Sequence, residues 1–139
     1  MAVERTLAMI KPDAVARDLG GRILAHYEQE GFKILACKRT RLSRAEAEAF
    51  YAVHRERPFF DSLCEFMTSG PIFAVALERE DAITLLRKVM GATNPADAET
   101  GTIRALYAEN IERNSVHGSD VPETATQELA FHFAGRELL

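Results

Sequence analysis

Ile72-Phe73-Ala74-Val75-Ala76-Leu77 is almost wholly apolar and follows the turn Ser69-Gly70-Pro71. A short unbroken apolar run bounded by turn residues reads as an interior strand, buried on both faces. Thr6-Leu7-Ala8-Met9-Ile10 reads the same way and is ended by Lys11-Pro12, because proline cannot donate to a sheet ladder. A third strand is expected over residues 33–41, with Ile34 and Ala36 alternating against Leu35 and Cys37, and a short fourth over 115–117.

Helical patterns fill the gaps. Ile23, Leu24 and Tyr27 recur at helical spacing between 20 and 30, and Gly31 supplies a stop. Ser43-Arg44-Ala45-Glu46 fits a capping box opening a helix to about residue 53. Pro58 interrupts, and a short helix follows over 60–67. Glu80 and Asp81 are expected in the first turn of the next helix, at its positive dipole end, with Ile83, Leu86 and Met90 as the inward stripe. Residues 91–113 are irregular, broken at Gly91, Asn94-Pro95 and Gly101, with one helical turn near 103–107. A loop that long is usually functional or part of an interface. A last helix over 122–133 buries Ala125, Leu129, His132 and Phe133 and keeps Glu128 at the edge of that stripe. The order of elements suits an α+β sandwich, with helices covering a mostly antiparallel sheet. A doubly wound parallel fold is the alternative.

The chain has 139 residues, 47% hydrophobic and 27% charged, which supplies one core in a single domain and excludes a disordered polypeptide. Seventeen Lys and Arg against 21 Asp and Glu give a net charge of -4, the reverse of what a nucleic-acid-binding domain needs. Small anionic substrates remain open, since a few cations can dominate a cleft. Cys37 and Cys64 lie far apart with no metal-ligand spacing and read as small apolar side chains. No stretch is long enough to span a bilayer, and the first residues lack the layout of a signal peptide, so a cytoplasmic location is expected.

Neither GxxxxGK[ST] nor GxGxxG is present, so a bound nucleotide would have its phosphates held by side chains. The densest polar cluster is Asn114-Ser115-Val116-His117-Gly118-Ser119-Asp120. His117 ends a strand, and Gly118 leaves room for a ligand to approach the ring. Asp120 and Glu123 have the spacing of a helix cap. Glu128 wants a partner, and an N–H from His117 would fix the tautomer and leave the other ring nitrogen as a nucleophile. Arg87 and Arg104 near the rim of the long loop suit phosphate capture, with Lys11 as a third cation. Plainer readings stand beside these. His117 can be a satisfied structural histidine, Arg87 an exposed helix residue, and Arg104 a partner of Glu99 or Glu109. Phe59 and Phe60 both read as core, and His26, His54 and His132 as structural or surface residues.

Several motifs, in order, are similar to those of the nucleoside diphosphate kinase family over essentially the whole chain. They are Glu4-Arg5-Thr6 with Ile10-Lys11-Pro12-Asp13, Arg57-Pro58-Phe59-Phe60, Ser69-Gly70-Pro71, Gly91 through Ala96, Gly101 through Arg104, and Asn114 through Asp120. The resemblance implies a ferredoxin-like sandwich, a four-stranded antiparallel sheet flanked by helices. It implies ping-pong transfer of the γ-phosphoryl of ATP, or another nucleoside triphosphate, to a nucleoside diphosphate through a phosphohistidine on His117.

By the same resemblance Glu128 orients the ring through the nitrogen that is not phosphorylated, and Ser119 hydrogen-bonds Glu128. Lys11, Tyr51 and Asn114 surround the transferred phosphate and the sugar, while Arg87, Thr93 and Arg104 hold the phosphates. Phe59 stacks on the base, which replaces its core reading, with Ile111 on the other face. Mg2+ comes with the nucleotide and has no direct protein ligand, Asp120 meeting at most its water shell. A homo-oligomer is implied, a tetramer or hexamer built from dimers. Leu106 departs from the Asp that most relatives carry there, which bears on loop packing and subunit contacts rather than on chemistry. Loss of catalysis in a binding module would be expected to cost His117 or a clamping arginine, and all are present. Sheet-face RNA binding lacks the aromatic strand it would need.

Overall fold

The two apolar runs lie side by side at the centre of the sheet. β1 (Val3–Ile10) pairs antiparallel with β3 (Ile72–Glu80), Val3 opposite Glu80 and Ile10 opposite Phe73. β2 (Lys33–Thr40) and β4 (Val116–Gly118) form the edges, giving the order β2-β3-β1-β4 with every pairing antiparallel. The doubly wound parallel alternative is thereby excluded. The computed structural model describes residues 2–139.

Helices cover both faces. They are α1 (Pro12–Ala16), α2 (Gly20–Gln29), α3 (Arg44–Phe50), α4 (Phe60–Met67), α5 (Ala82–Met90), α6 (Ile103–Tyr107) and α7 (Pro122–His132). Successive strand residues point to opposite faces. Ala8, Ile10, Val75, Leu77 and Val116 therefore pack with Ile23 and Tyr27 of α2 and Leu86 and Met90 of α5. Leu7, Met9, Ile72, Ala74 and Ala76 pack on the other side with Ala47 of α3, Cys64 and Met67 of α4 and Leu129 of α7. Two covered faces explain why both central strands are apolar without alternation. This is the ferredoxin-like α+β sandwich.

Local chemistry places most element ends. The Ser43–Glu46 capping box forms as expected, Ser43 Oγ accepting from the Glu46 amide at 3.1 Å and Glu46 Oε1 from the Ser43 amide at 2.8 Å. The helix it opens stops at Phe50, and a 3-10 turn (Ala52–His54) takes over. Pro12 both ends β1 and starts α1, a helix the strand reading overlooked, because proline is pre-set for the first helical position.

Other expectations are corrected. Glu80 stays in β3, and Asp81 adopts a left-handed φ of 52° before α5 begins at Ala82. The carboxylate that serves this helix start comes from Glu4, whose Oε1 accepts from the Ile83 amide at 3.2 Å. The alternation expected in β2 breaks at a bulge between Ile34 and Ala36, which turns Leu35 and Ala36 to the same face. Cys37 is consequently exposed and only Cys64 is core.

Candidate active site

β4 is three residues long and carries the site's central side chain between opposite neighbours. His117 sits across from Met9, so its ring points to the α7 face, while Gly118, across from Ala8, faces α5. The expectation that Gly118 clears space for a ligand is therefore wrong. A Cβ at Gly118 would lie 2.7 Å from Met90 Cε and 2.9 Å from Leu86 Cδ2, so the glycine lets α5 pack against the sheet. Gly118→Ala should cost about 1–3 kcal/mol of stability through overpacking. A urea-unfolding midpoint equal to that of the unsubstituted protein would show that α5 can move aside.

His117 Nε2 lies 2.7 Å from Glu128 Oε1. Burial pushes the Glu128 carboxyl up, but the hydrogen bond and charge of His117, with a hydrogen bond from Ser119, outweigh it and hold it below the usual range. An ionised carboxylate only accepts, so Nε2 carries the proton. Nδ1 has no protein hydrogen-bond partner among the described residues. Ser119 Oγ donates to the same Glu128 oxygen at 2.8 Å, fixing the carboxylate in turn. The ring is also held by packing, with the edges of Phe50 at 5.5 Å and Tyr51 at 6.4 Å between centroids. Tyr51 Oη is buried without a partner, and burial together with the Glu128 charge drives its pKa up. The α7 start is capped by Thr124, whose Oγ1 accepts from the amides of Asp120 and Val121, and not by an Asp120–Glu123 pair.

A second group forms where β1 ends. Lys11 Nζ donates to Asn114 Oδ1 at 2.8 Å, and Asn114 Nδ2 donates to Thr93 O at 3.2 Å. The exposed Thr93 is so tied to the buried Asn114. Burial, then the Arg104 charge, pulls the Lys11 amine down to about 8. Asp13, beside it and accepting from Ser115 Oγ at 3.3 Å, was overlooked as a buried carboxylate. Ser115 holds a left-handed φ of 74° immediately before β4, strain of about 1–3 kcal/mol that the surrounding contacts impose.

Arg104 pairs with neither Glu99 nor Glu109. Its side chain is buried, with Nη1 donating to Gly91 O at 2.9 Å and Nη2 to Val116 O at 2.8 Å, so it staples the long loop to β4. Burial and the neighbouring Arg87 pull it down to about 10, and it remains a cation. Arg87, half exposed on α5, has Nη1 2.6 Å from Asp120 Oδ1 at the rim.

Beyond these cations opens a cavity of about 380 Å³ lined by Lys11, Phe59, Leu63, Thr93, Ile111, Glu112 and Asn114. Phe59 is 49% exposed and Ile111 58% exposed, two large apolar side chains with no core to fill. The core reading of Phe59 fails, while Phe60 packs against the α3–α4–α7 core. His54 lies beside Phe59, its ring centroid 5.4 Å away, and His132 is buried on α7. Phe50 and Glu112 were not singled out by the sequence reading. Both owe their place to contacts from distant segments, although Glu112 adjoins Ile111.

Cations, a half-buried histidine with one nitrogen engaged, and an apolar slot make an arrangement suited to a phosphorylated ligand with a flat ring. The family model "Nucleoside diphosphate kinase" matches residues 4–138. The nucleoside diphosphate kinase of Acidiphilium cryptum is 59% identical over 139 residues, covering 100% of this chain and 99% of that protein. That of Persephonella marina is 53% identical with the same coverage of 100% and 99%. Among solved structures, Aquifex aeolicus nucleoside diphosphate kinase superposes with a TM-score of 0.97 at 46% identity, covering 99% of this chain and 100% of that one. The Halobacterium salinarum enzyme in complex with CDP gives a TM-score of 0.95 at 41% identity, covering 99% and 92%. No helix among the described residues is long and apolar enough to cross a membrane. On family, identity and fold together, the chain belongs to the nucleoside diphosphate kinase family and is an enzyme of that activity, a nucleotide phosphotransferase.

Proposed function

We propose that the enzyme works by a ping-pong phosphohistidine shuttle on His117. The observation that carries this is the single bond from Nε2 to Glu128, which leaves the Nδ1 lone pair as the nucleophile. In the first half-reaction Nδ1 attacks the γ-phosphorus of a nucleoside triphosphate such as ATP. The bond to the β–γ bridging oxygen breaks, and the diphosphate leaves with that electron pair. In the second, an oxygen of another nucleoside diphosphate attacks the phosphohistidine, and the N–P electron pair returns to Nδ1. Glu128, fixed by Ser119, stabilises the positive charge on the ring.

Lys11, Arg87 and Arg104 stabilise charge on the transferring phosphoryl oxygens, which is most of what such a site has to do. Thr93 and Asn114 complete the phosphate and sugar contacts, and Tyr51 packs the histidine in place. Phe59 and Ile111 sandwich the base, a contact that tolerates every base because each has a π-face.

The cations around the cleft fit a triphosphate that brings Mg2+ with it. Among the described residues no three metal-ligating side chains gather. Asp120, on Arg87, is the carboxylate able to meet the ion's water shell. That ion would neutralise and orient the phosphates.

The CDP bound by the Halobacterium salinarum relative supports nucleotides as substrates. The whole chain acts as one domain, in the cytoplasm, where its two free thiols persist, and in a homo-oligomer of dimers. Exposed Leu106 bears on loop packing and subunit contacts rather than on chemistry.

Incubation with γ-labelled ATP and Mg2+, quenched in base, tests the shuttle. A base-stable, acid-labile phosphate discharged by GDP or CDP is expected, and absence of any phosphoprotein would remove the proposal. Glu128→Gln should slow transfer about 10–100-fold without abolishing it, the usual cost of losing an orienting partner behind a histidine. Unchanged turnover in that variant would remove the tautomer argument.

A further inference from the structure

Three bonds clasp the end of β1 to the approach to β4, and one of them engages a carboxylate that the transfer chemistry leaves unused. The Lys11 amide donates to Ser115 O at 2.9 Å, Lys11 Nζ to Asn114 Oδ1 at 2.8 Å, and Ser115 Oγ to Asp13 Oδ2 at 3.3 Å. Ser115 stands two residues before His117. All four members of the clasp are buried, Asp13 being 5% exposed.

One hydroxyl is a poor reason to bury a carboxylate. An asparagine could accept from Ser115 just as well and would take no charge out of water. Asp13 Oδ1 is moreover buried with no hydrogen-bond partner, so hydrogen bonding does not offset the burial. What a carboxylate supplies and an amide cannot is negative charge. Lys11 and Arg104 both bring positive charge into the interior, and each feels the other. Among the described residues Asp13 forms an ion pair with neither. Lys11 Nζ is held by Asn114, and Arg104 by Gly91 O and Val116 O. The Asp13 charge therefore acts through the poorly screened interior and not through a contact.

We propose that Asp13 is a positioning residue for the transfer reaction: its buried carboxylate is the built-in counter-charge that keeps Lys11 a cation in the empty cleft, ready for the phosphoryl group. This rests on reading Lys11 as a phosphate-binding cation. The groups that bear on the Lys11 amine agree. Burial lowers it most, followed by Arg104 of α6, whereas Asp13 of α1 and then Glu112 of the loop before β4 raise it. Burial pushes the Asp13 carboxyl up in turn, and the Lys11 charge, then the Ser115 bond, draw it back.

The Lys11 titration can be followed directly. Lys11, Lys33, Lys38 and Lys88 are the only lysines, so labelling lysine with 13C gives few Cε signals, and Lys11→Met identifies the one of interest. In Asp13→Asn, which keeps an acceptor for Ser115, the Lys11 titration should move down by about one pH unit, because an opposite charge favours the charged form. Asp13→Ser removes the same charge in a different shape and should give the same shift, so either variant serves if the other does not fold. Glu112→Gln, at an exposed position, should shift it less. Ser115→Ala breaks the clasp and keeps the charge. It should lower the urea midpoint and leave the titration in place. The alkaline fall of kcat/KM for phosphorylation by ATP should follow the amine, so that Asp13→Asn loses about fivefold at pH 8 and little at pH 6.

A Lys11 titration unmoved in both Asp13 variants overturns the proposal, whatever the activity. So does a shift in Ser115→Ala equal to that in Asp13→Asn, which would assign the effect to the clasp and not to the charge. A moved titration with an unmoved alkaline limb removes Asp13 from the transfer reaction. If the titration moves but the unsubstituted protein takes no phosphate from ATP, the counter-charge stands and the shuttle on His117 has failed.

Discussion

Replacing His117 with Ala should abolish phosphoryl transfer and leave the fold standing. No neighbouring side chain can take over as nucleophile, because Phe50 and Glu128 surround the ring and the Tyr51 hydroxyl is buried with its proton held on. Removal of a covalent nucleophile costs on the order of a millionfold in kcat where the chemistry runs through it. The stability cost is small by comparison. The His117 side chain is 21% exposed, and its loss leaves Glu128 still bonded to Ser119, so about 1–2 kcal/mol is expected. Intact mass after reaction with ATP, alongside circular dichroism and a urea midpoint, checks both halves. A phosphorylated Ala variant would mean that the nucleophile is elsewhere.

Lys11→Met is expected to separate activity from stability. In the proposed mechanism the amine is one of three cations around the transferred phosphoryl, and loss of one such donor typically costs about 10²–10³-fold in kcat. Its burial is itself unfavourable, so a methionine of similar shape should leave stability within about 1 kcal/mol, the unsatisfied Asn114 offsetting the relief. A large fall in the unfolding midpoint would mark the lysine as a structural strut and leave its catalytic assignment without support.

The same residue sets a pH signature. With the amine pulled to about 8 from an ordinary value of 10.5, kcat/KM of the free enzyme should fall as pH rises through 8 and the cation is lost. Stability moves the other way. Between pH 8 and 10.5 the unfolded chain binds the proton that the folded one has released, so stability rises with pH across that window. Lys11→Met should flatten both slopes. A pH profile identical in the variant would assign the loss to another group.

Much of the fold was legible because burial leaves a periodic imprint. The runs 6–10 and 72–77 mark the central strands, the Ser43–Glu46 box one helix start, and the stripe Ala125, Leu129, His132, Phe133 the buried face of α7. Element ends were less legible. Glu80 and Asp81 carry the charges of a helix start, yet β3 runs on through Glu80 because Val3 pairs with it across the sheet. The bulge at Ile34 and Ala36 likewise answers to β3, and nothing within β2 announces it.

At the site, the chain by itself pointed to the residues proposed to carry the chemistry: the strand-end histidine, the helix glutamate nearly two turns into α7, and cations grouped around a long loop. Those are local patterns of residue type and spacing. What only tertiary structure decided is which way each of them faces and what else stands there. Pairing of β4 with β1 turns His117 toward Glu128 and Gly118 toward Met90, and a shift of one residue would exchange them. Burial of Arg104 between Gly91 and Val116, and the bond from Ser115 to Asp13, join segments far apart in sequence. Spacing along a chain fixes the neighbours within one element, whereas the partner across a sheet or cleft is set by packing the whole core.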